Sequence, residues 1–286
     1  MIRVLRHLAR YRSLLATLTR RELVARYRGS VLGLRWSRVN PRMRLVVYSF
    51  VFSTVFRPRD PSITAHGPYA LFLACGVFPW TWLSTAWMEG TSALNANAGL
   101  IRKASFPAVL LPMVSVLSNL VHFVFAWPIL ILGFVLTGWF GTFDPATETG
   151  ALLATFASEG IAWPALLVPL IALLHLPFIS GLTLAFSALN VHFKDVKDIL
   201  TNLVTLLFFM TPILYSLDML AGIPLLQTVI AHSPFTPFFS AYQEVLFYGR
   251  VPEPTLWMQM VLIGTATWAL GAALFDRLSE TLVEAV

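Results

Sequence analysis

Arg35, Arg38 and Arg42 recur at i, i+3 and i+7, so a helix through them carries three guanidinium groups on one face. A guanidinium is a planar fork of donors that matches phosphate oxygens in pairs. With Arg44 close by, the set could form an entrance for a phosphate headgroup. The competing reading is topological: arginines at the mouth of a span mark its cytoplasmic side and snorkel toward water. Two aromatic groups suggest a second kind of chemistry. Tyr48 and Phe52 are one helical turn apart, and Phe208, Phe209 and Tyr215 form a similar group further on. Aromatic faces let sugar rings slide past by stacking without tight hydrogen bonds. The alternative for the many Phe, Trp and Tyr residues is lipid-facing packing and an interfacial belt.

The remaining reactive side chains do not assemble into an active site. No G-x-x-x-x-G-K-[ST] run is present, so the chain has no phosphate cradle for ATP hydrolysis. His66, His122, His175, His192 and His232 lack metal-ligand spacing, and no metal site is expected. Cys75 is alone and can form no intrachain disulfide. Glu89 is the one acid near a span and has no evident partner. A proton relay usually needs several intramembrane ionisable groups, and spans three to six contain almost none, which argues against a proton-coupled pump. The chain is therefore not expected to be an enzyme, and the expected catalytic residues are none.

These groups are carried by elements legible in the composition. Of 286 residues, 57% are hydrophobic and 12% charged, with a mean hydropathy of +0.73. Soluble domains carry about 25% charged residues, so the expected class is an all-α polytopic membrane protein, read as a single domain. Twelve of the 20 Lys and Arg residues precede residue 45, and the only acid among them is Glu22. Beside a membrane span, that cluster reads as the positive-inside signal rather than as a nucleic-acid surface.

Residues 1–34 are expected to form a cytoplasmic interfacial helix and linker. Val4, Leu8, Tyr11, Leu15 and Leu18 make an apolar stripe opposite Arg3, Arg6, Arg10 and Arg20, a pattern suited to a helix sunk into the acyl boundary. Six spans are expected, at 36–57, 69–98, 108–140, 161–191, 198–217 and 255–275. The first is the weakest: only Leu45 to Phe56 is free of charge, about 18 Å of helix against a hydrocarbon core of about 30 Å. It must extend back through Pro41 and Trp36. An even number of spans leaves both termini in the cytoplasm. Residues 219–246 are apolar but interrupted by Gly222, Pro224, Pro234 and Pro237, which suits a re-entrant helix pair on the outer side better than a seventh span.

Several stretches together resemble one family. The run RRELVARYRGSVLGLRWSRVNP from Arg20 to Pro41, followed by Val46-Val47-Tyr48, is similar to the membrane subunit of type-2 ABC exporters of bacterial surface polysaccharides. Further matches are Cys75 to Trp80, Asn95 to Lys103, Phe106-Pro107 and Phe193 to Ile199. The resemblance implies a homodimer with a channel at its interface, in the bacterial inner membrane. It implies two separate ABC ATPase subunits that bind the ATP and Mg, leaving this chain without a cofactor. It implies an undecaprenyl-linked polysaccharide substrate of O-antigen, teichoic-acid or capsule type. Arg20, Arg21, Glu22 and Arg26, with Asn97, Leu100, Arg102 and Lys103, would contact the ATPase and pass on its motion. Pro224, Pro234 and Pro237 would belong to an outer gate, and the aromatic groups would line the channel. One departure stands out: Arg42-Met43-Arg44 occupies positions that are apolar in the family pattern. Rival readings are a type-2 ABC permease for lipids or drugs, a polytopic glycosyl- or acyltransferase, and a scaffold that binds anionic lipid through the N-terminal arginines.

Overall fold

A computed structural model describes residues 2–26, 43, 63, 69–103, 106–136 and 163–279. Apart from Met43, the expected first span at 36–57 lies outside the described residues, as does the segment between the third and fourth spans. Everything regular within them is helical. In chain order the helices are α1 (Ile2–Arg10), α2 (Arg12–Arg26), α3 (Tyr69–Ala96), α4 (Ala98–Lys103), α5 (Leu110–Leu136), α6 (Val168–His192), α7 (Val196–Met210), α8 (Pro224–Ala231), α9 (Thr236–Leu246) and α10 (Pro254–Ser279). Short 3-10 turns at Pro164–Leu167 and Leu217–Leu220 precede α6 and α8. Four stretches are long and apolar enough to cross a membrane: Tyr69–Ala96, Leu110–Trp127, Pro164–His192 and Pro254–Ser279. They correspond to expected spans two, three, four and six.

Expected span five is shorter than its hydropathy suggests. α7 stops at Met210, and its 15 residues rise only about 22 Å. The cause is Pro212, whose ring disfavours helical geometry at the residue before it. Thr211 accordingly is extended, at φ −95° and ψ 140°. The carbonyls released by this break are taken up by side chains. Gln243 Nε2 donates to Pro212 O at 2.8 Å, and the Tyr69 hydroxyl donates to Leu214 O. A run of apolar residues had hidden a helix terminator.

α3 sits at the centre of the bundle, packed against α5, α6, α7 and α9, while α6 pairs along its length with α10. The central core is strongly aromatic. Trp82, Trp87, Phe72, Phe178, Phe238, Phe239, Tyr242 and Phe247 are fully buried. This differs from the lipid-facing role that abundance alone suggested. These rings fill the space between helices, edge to face or offset, as their quadrupoles prefer.

The N-terminal stripe also finds a protein partner. Val4 is buried with Leu94, Ile101, Leu110, Ala272 and Phe275, and Leu8, Tyr11, Leu14 and Leu15 pack around that group. The periodicity named the right face, but that face lies on the ends of the long helices. The arginines Arg3, Arg6, Arg10, Arg12, Arg20 and Arg21 are left exposed.

Candidate functional site

The last turn of α2 carries Arg26, whose guanidinium needs partners once α2 packs against α5. It finds them on two long helices. Arg26 Nη2 lies 2.7 Å from Glu89 Oε2 on α3, and Arg26 Nη1 donates to Asn119 Oδ1 on α5 at 3.4 Å. Asn119 Nδ2 donates to the same Glu89 oxygen at 2.7 Å and to Ser115 O at 2.8 Å, which fixes the orientation of the amide. Glu22, one turn back on α2, is 3.7 Å from Arg26 Nη2. One carboxylate oxygen therefore joins three helices.

A cavity of about 820 Å³ opens beside this junction. Arg21, Glu22 and Arg26 line it from α2, Glu89 and Ser92 from α3, and Ser115 from α5. Asn97, Leu100 and Lys197 complete the wall from the turn after α3, from α4 and from α7. Asn97 shapes its own corner. Its Nδ2 bonds Ala93 O at 2.9 Å, competing with the helix ladder, and Leu100 N then bonds Asn97 O at 2.9 Å to restart the chain as α4. A second polar crossing secures the same end of α3. Asn190 Nδ2 on α6 donates to Thr91 O at 3.0 Å, and Asn95 Nδ2 donates to Asn190 O at 3.1 Å.

The structure thus gathers Arg21, Glu22, Arg26, Asn97 and Leu100, five residues expected to couple to a partner, around one cavity. Arg20 is exposed on α2 outside that lining, and Arg102 and Lys103 end α4. Phe208 turns inward against Trp80 at 5.6 Å between ring centroids, whereas Phe209 points outward with 58% of its surface exposed. Tyr215 donates its hydroxyl to Phe209 O at 3.0 Å, tying the chain after the break back to α7. Tyr48, Phe52, Arg35, Arg38, Arg42 and Arg44 lie outside the described residues. Pro224 and Pro237 each sit in the first turn of a helix, α8 and α9, where no N–H is needed. Pro234 lies in the turn between them. α9 is buried along nearly its whole length, whereas α8 exposes Leu225, Leu226 and Val229.

Glu89 and Asn119 were absent from the expected site, although the signal for them was present. Glu89 is the sole charged residue from position 61 to 101, and Ser115, Ser118, Asn119 and His122 fall on one helical face of an otherwise apolar span. A lone carboxylate and a polar stripe at helical spacing call for each other in an apolar medium.

His175 shows the opposite case. His175 is 0% exposed, and neither ring nitrogen has a hydrogen-bond partner among the described residues. It stacks on Phe238 at 4.7 Å and meets Trp82 edge-on at 5.3 Å. Burying unpaired polar atoms is unfavourable, so His175→Phe is expected to raise stability by about 1 kcal/mol. Thermal unfolding in detergent checks this, and a lowered melting temperature would show that the imidazole has a polar task. Among the described residues no cluster of His, Cys, Asp or Glu could hold a metal ion.

Four long apolar helices, an arginine-rich helix packed across their ends and a polar junction between them make up the described molecule. Residues 13–247 match the ABC-2 type transporter family. The chain belongs to that family. This ABC-2 chain is also 32% identical to the O-antigen export system permease protein RfbA of Myxococcus xanthus, over the full length of both proteins. It is 27% identical to the protein of the same name from Klebsiella pneumoniae, covering 95% of this chain and 94% of that one. Membership and the four long apolar helices together make it a multi-pass membrane protein.

Proposed function

We propose that the chain is the channel-forming subunit of an ATP-driven exporter that moves lipid-linked polysaccharide, of O-antigen, teichoic-acid or capsule type, across the bacterial inner membrane. The observation that carries this reading is the 32% identity, covering 100% of both chains, to an O-antigen export permease. In this reading two copies enclose the channel, both termini face the cytoplasm, and the described spans are completed to six by the first span and α7. Two separate ATPase subunits, holding ATP and Mg, dock where α2 and α4 flank the cavity, and α8 and α9 dip in from the outer side as a gate.

The exposed face of α7 supports a wet channel. Asp198, Asn202, Thr205 and Phe209 follow at i, i+4, i+7 and i+11 and are all exposed, while Leu200 and Val204 are buried. Thr201, Asn202 and Thr205 each return a hydrogen bond to the carbonyl four residues back. The exposed surface is mixed, with Ile199, Leu206 and Phe209 beside Asp198, Asn202 and Thr205, and such a surface suits a sugar chain, which presents both CH faces and hydroxyls. Closure of the ATPase pair would push α2 and α4, and the long helices attached to them would part around the glycan. The chain performs no covalent step in this cycle.

Deletion of the chain is expected to remove the surface glycan, and re-expression of the chain to restore it. The purified chain alone should hydrolyse no ATP, with activity appearing only on addition of the partner. Hydrolysis by the isolated chain, or an intact surface glycan after deletion, refutes the reading. Heightened drug sensitivity with an intact glycan favours efflux of a small lipophile instead.

A further inference from the structure

The link between α2 and the long helices is narrow in chemical terms. Apolar side chains hold α2 against α5, but among the described residues the polar connection runs through Arg26 alone, to Glu89 and Asn119. The pair is not sealed in a core. Arg26 and Glu89 keep 23% and 37% of their side-chain surface exposed, and both line the 820 Å³ cavity. An ion pair locked inside a core is strongly unfavourable to separate, because each charge is left without water. At the wall of an open cavity, water can solvate both groups, so the pair can part and reform. A second acceptor is already in place. Glu22 lies on the same helix as Arg26, one turn away and 3.7 Å from the same nitrogen. Arg26 therefore has one carboxylate that travels with α2 and one that belongs to α3.

We propose that Glu89 and Asn119 are positioning residues for transport: they clamp Arg26, and with it α2, to α3 and α5, and Arg26 passes to Glu22 when the clamp opens into the cavity. With the clamp shut, a displacement of α2 drags α3 and α5 together, because all three meet at one oxygen. With it open, α2 moves on its apolar contacts alone and the long helices stay behind. Asn119 is suited to the bridge because its amide offers a donor to Glu89 and an acceptor to Arg26 at once. An apolar side chain of the same size would hold neither.

The export readout rests on the function proposed above, and a second readout stands apart from it. Full-length variants are expressed with the ATPase partner in a strain lacking the chromosomal copy, and the complexes are purified. Glu89→Gln is expected to cut export about tenfold, within the range usual for linked sites, while the complex assembles and hydrolyses ATP at the wild-type rate, and Arg26→Glu is expected to cut export as far. The exchanged pair, Arg26→Glu with Glu89→Arg, is expected to restore export in part: the ion pair re-forms, while Asn119 stays held in its present orientation by Ser115 O. Glu22→Gln is expected to lower the amount of glycan exported per ATP hydrolysed. Hydrogen exchange across residues 12–26 of the purified complex reads the clamp with no substrate present. It should quicken in Glu89→Gln and slow again in the exchanged pair.

Wild-type export and exchange in Glu89→Gln overturn the clamp. So does a loss that comes with failed assembly, or one that the exchanged pair does not relieve, because the bond is then merely structural. Unchanged export per ATP hydrolysed in Glu22→Gln overturns the handover to the second acceptor. Should the unaltered complex export no glycan, the function reading falls, and the exchange measurement still decides the clamp.

Discussion

Gly271→Val is expected to remove most of the folded protein from the membrane, at a loss of about 3 kcal/mol or more. A Cβ at Gly271 would overlap the carbonyl oxygen of Gly181 and lie 2.7 Å from its carbonyl carbon. From the other side, a Cβ at Gly181 would overlap Thr267 O and sit 2.6 Å from Trp268 N. Every atom struck is backbone, so no rotamer change relieves the contact and the helices must part. Parting is unfavourable here because α6 against α10 is the most extensive helix pairing in the bundle. Gly264, two turns before Gly271 on the same face, would bring a Cβ to 3.0 Å from Leu174 O. Small residues let two backbones touch, and in a membrane that close packing replaces the hydrophobic drive available in water. Even Gly271→Ala should lower the melting temperature. Gly99→Ala is the control: a Cβ there meets nothing within 4 Å, and a helical alanine should be neutral or mildly stabilising. Abundance in membranes and melting in detergent report both. Normal yield and melting of Gly271→Val would mean that α6 and α10 do not touch in the protein.

Trp82→Ala is the second large effect, a loss of about 3–5 kcal/mol. The indole is 2% exposed. It stacks on Phe123 at 5.2 Å, meets His175 at 5.3 Å, and donates from Nε1 to Val116 O at 3.2 Å. Its removal leaves a cavity among α3, α5 and α6 that surrounding rings are too rigid to fill. This separates the two roles open to an aromatic residue in a membrane protein. A tryptophan facing lipid would be replaced by acyl chain, and its loss would cost about 1 kcal/mol or less. Trp82→Phe, which keeps the stack and loses the hydrogen bond, should fall between. A loss near 1 kcal/mol for Trp82→Ala would place the ring against lipid and contradict the packing described.

Much of the bundle is legible in the order of the amino acids. Charge-free runs of about 20 residues favour helices in a bilayer, because a helix satisfies its backbone polar groups within the one segment. The long helices at Tyr69–Ala96, Leu110–Trp127, Pro164–His192 and Pro254–Ser279 follow from that alone. So does the apolar stripe of Val4, Leu8, Tyr11 and Leu15, which is a matter of period. Less legible is the end of α7. Hydropathy is blind to Pro212, and the bonds from Gln243 and Tyr69 that make the break tolerable come from residues far away in the chain.

The candidate site divides in the same way. Arg21, Glu22, Arg26, Asn97 and Leu100 carry a family pattern that can be read in order along the chain. That they share one cavity cannot be read, since its walls come from α2, α3, α4, α5 and α7. Glu89 stands out by its charge and lacks only a partner. Sequence determines that this carboxylate sits in an apolar stretch and must be satisfied, because an unpaired charge is unfavourable there. Which residues satisfy it is decided by tertiary structure. Arg26 lies 63 positions away and Asn119 lies 30 away, and only the packing of α2 across α3 and α5 brings their side chains to one oxygen.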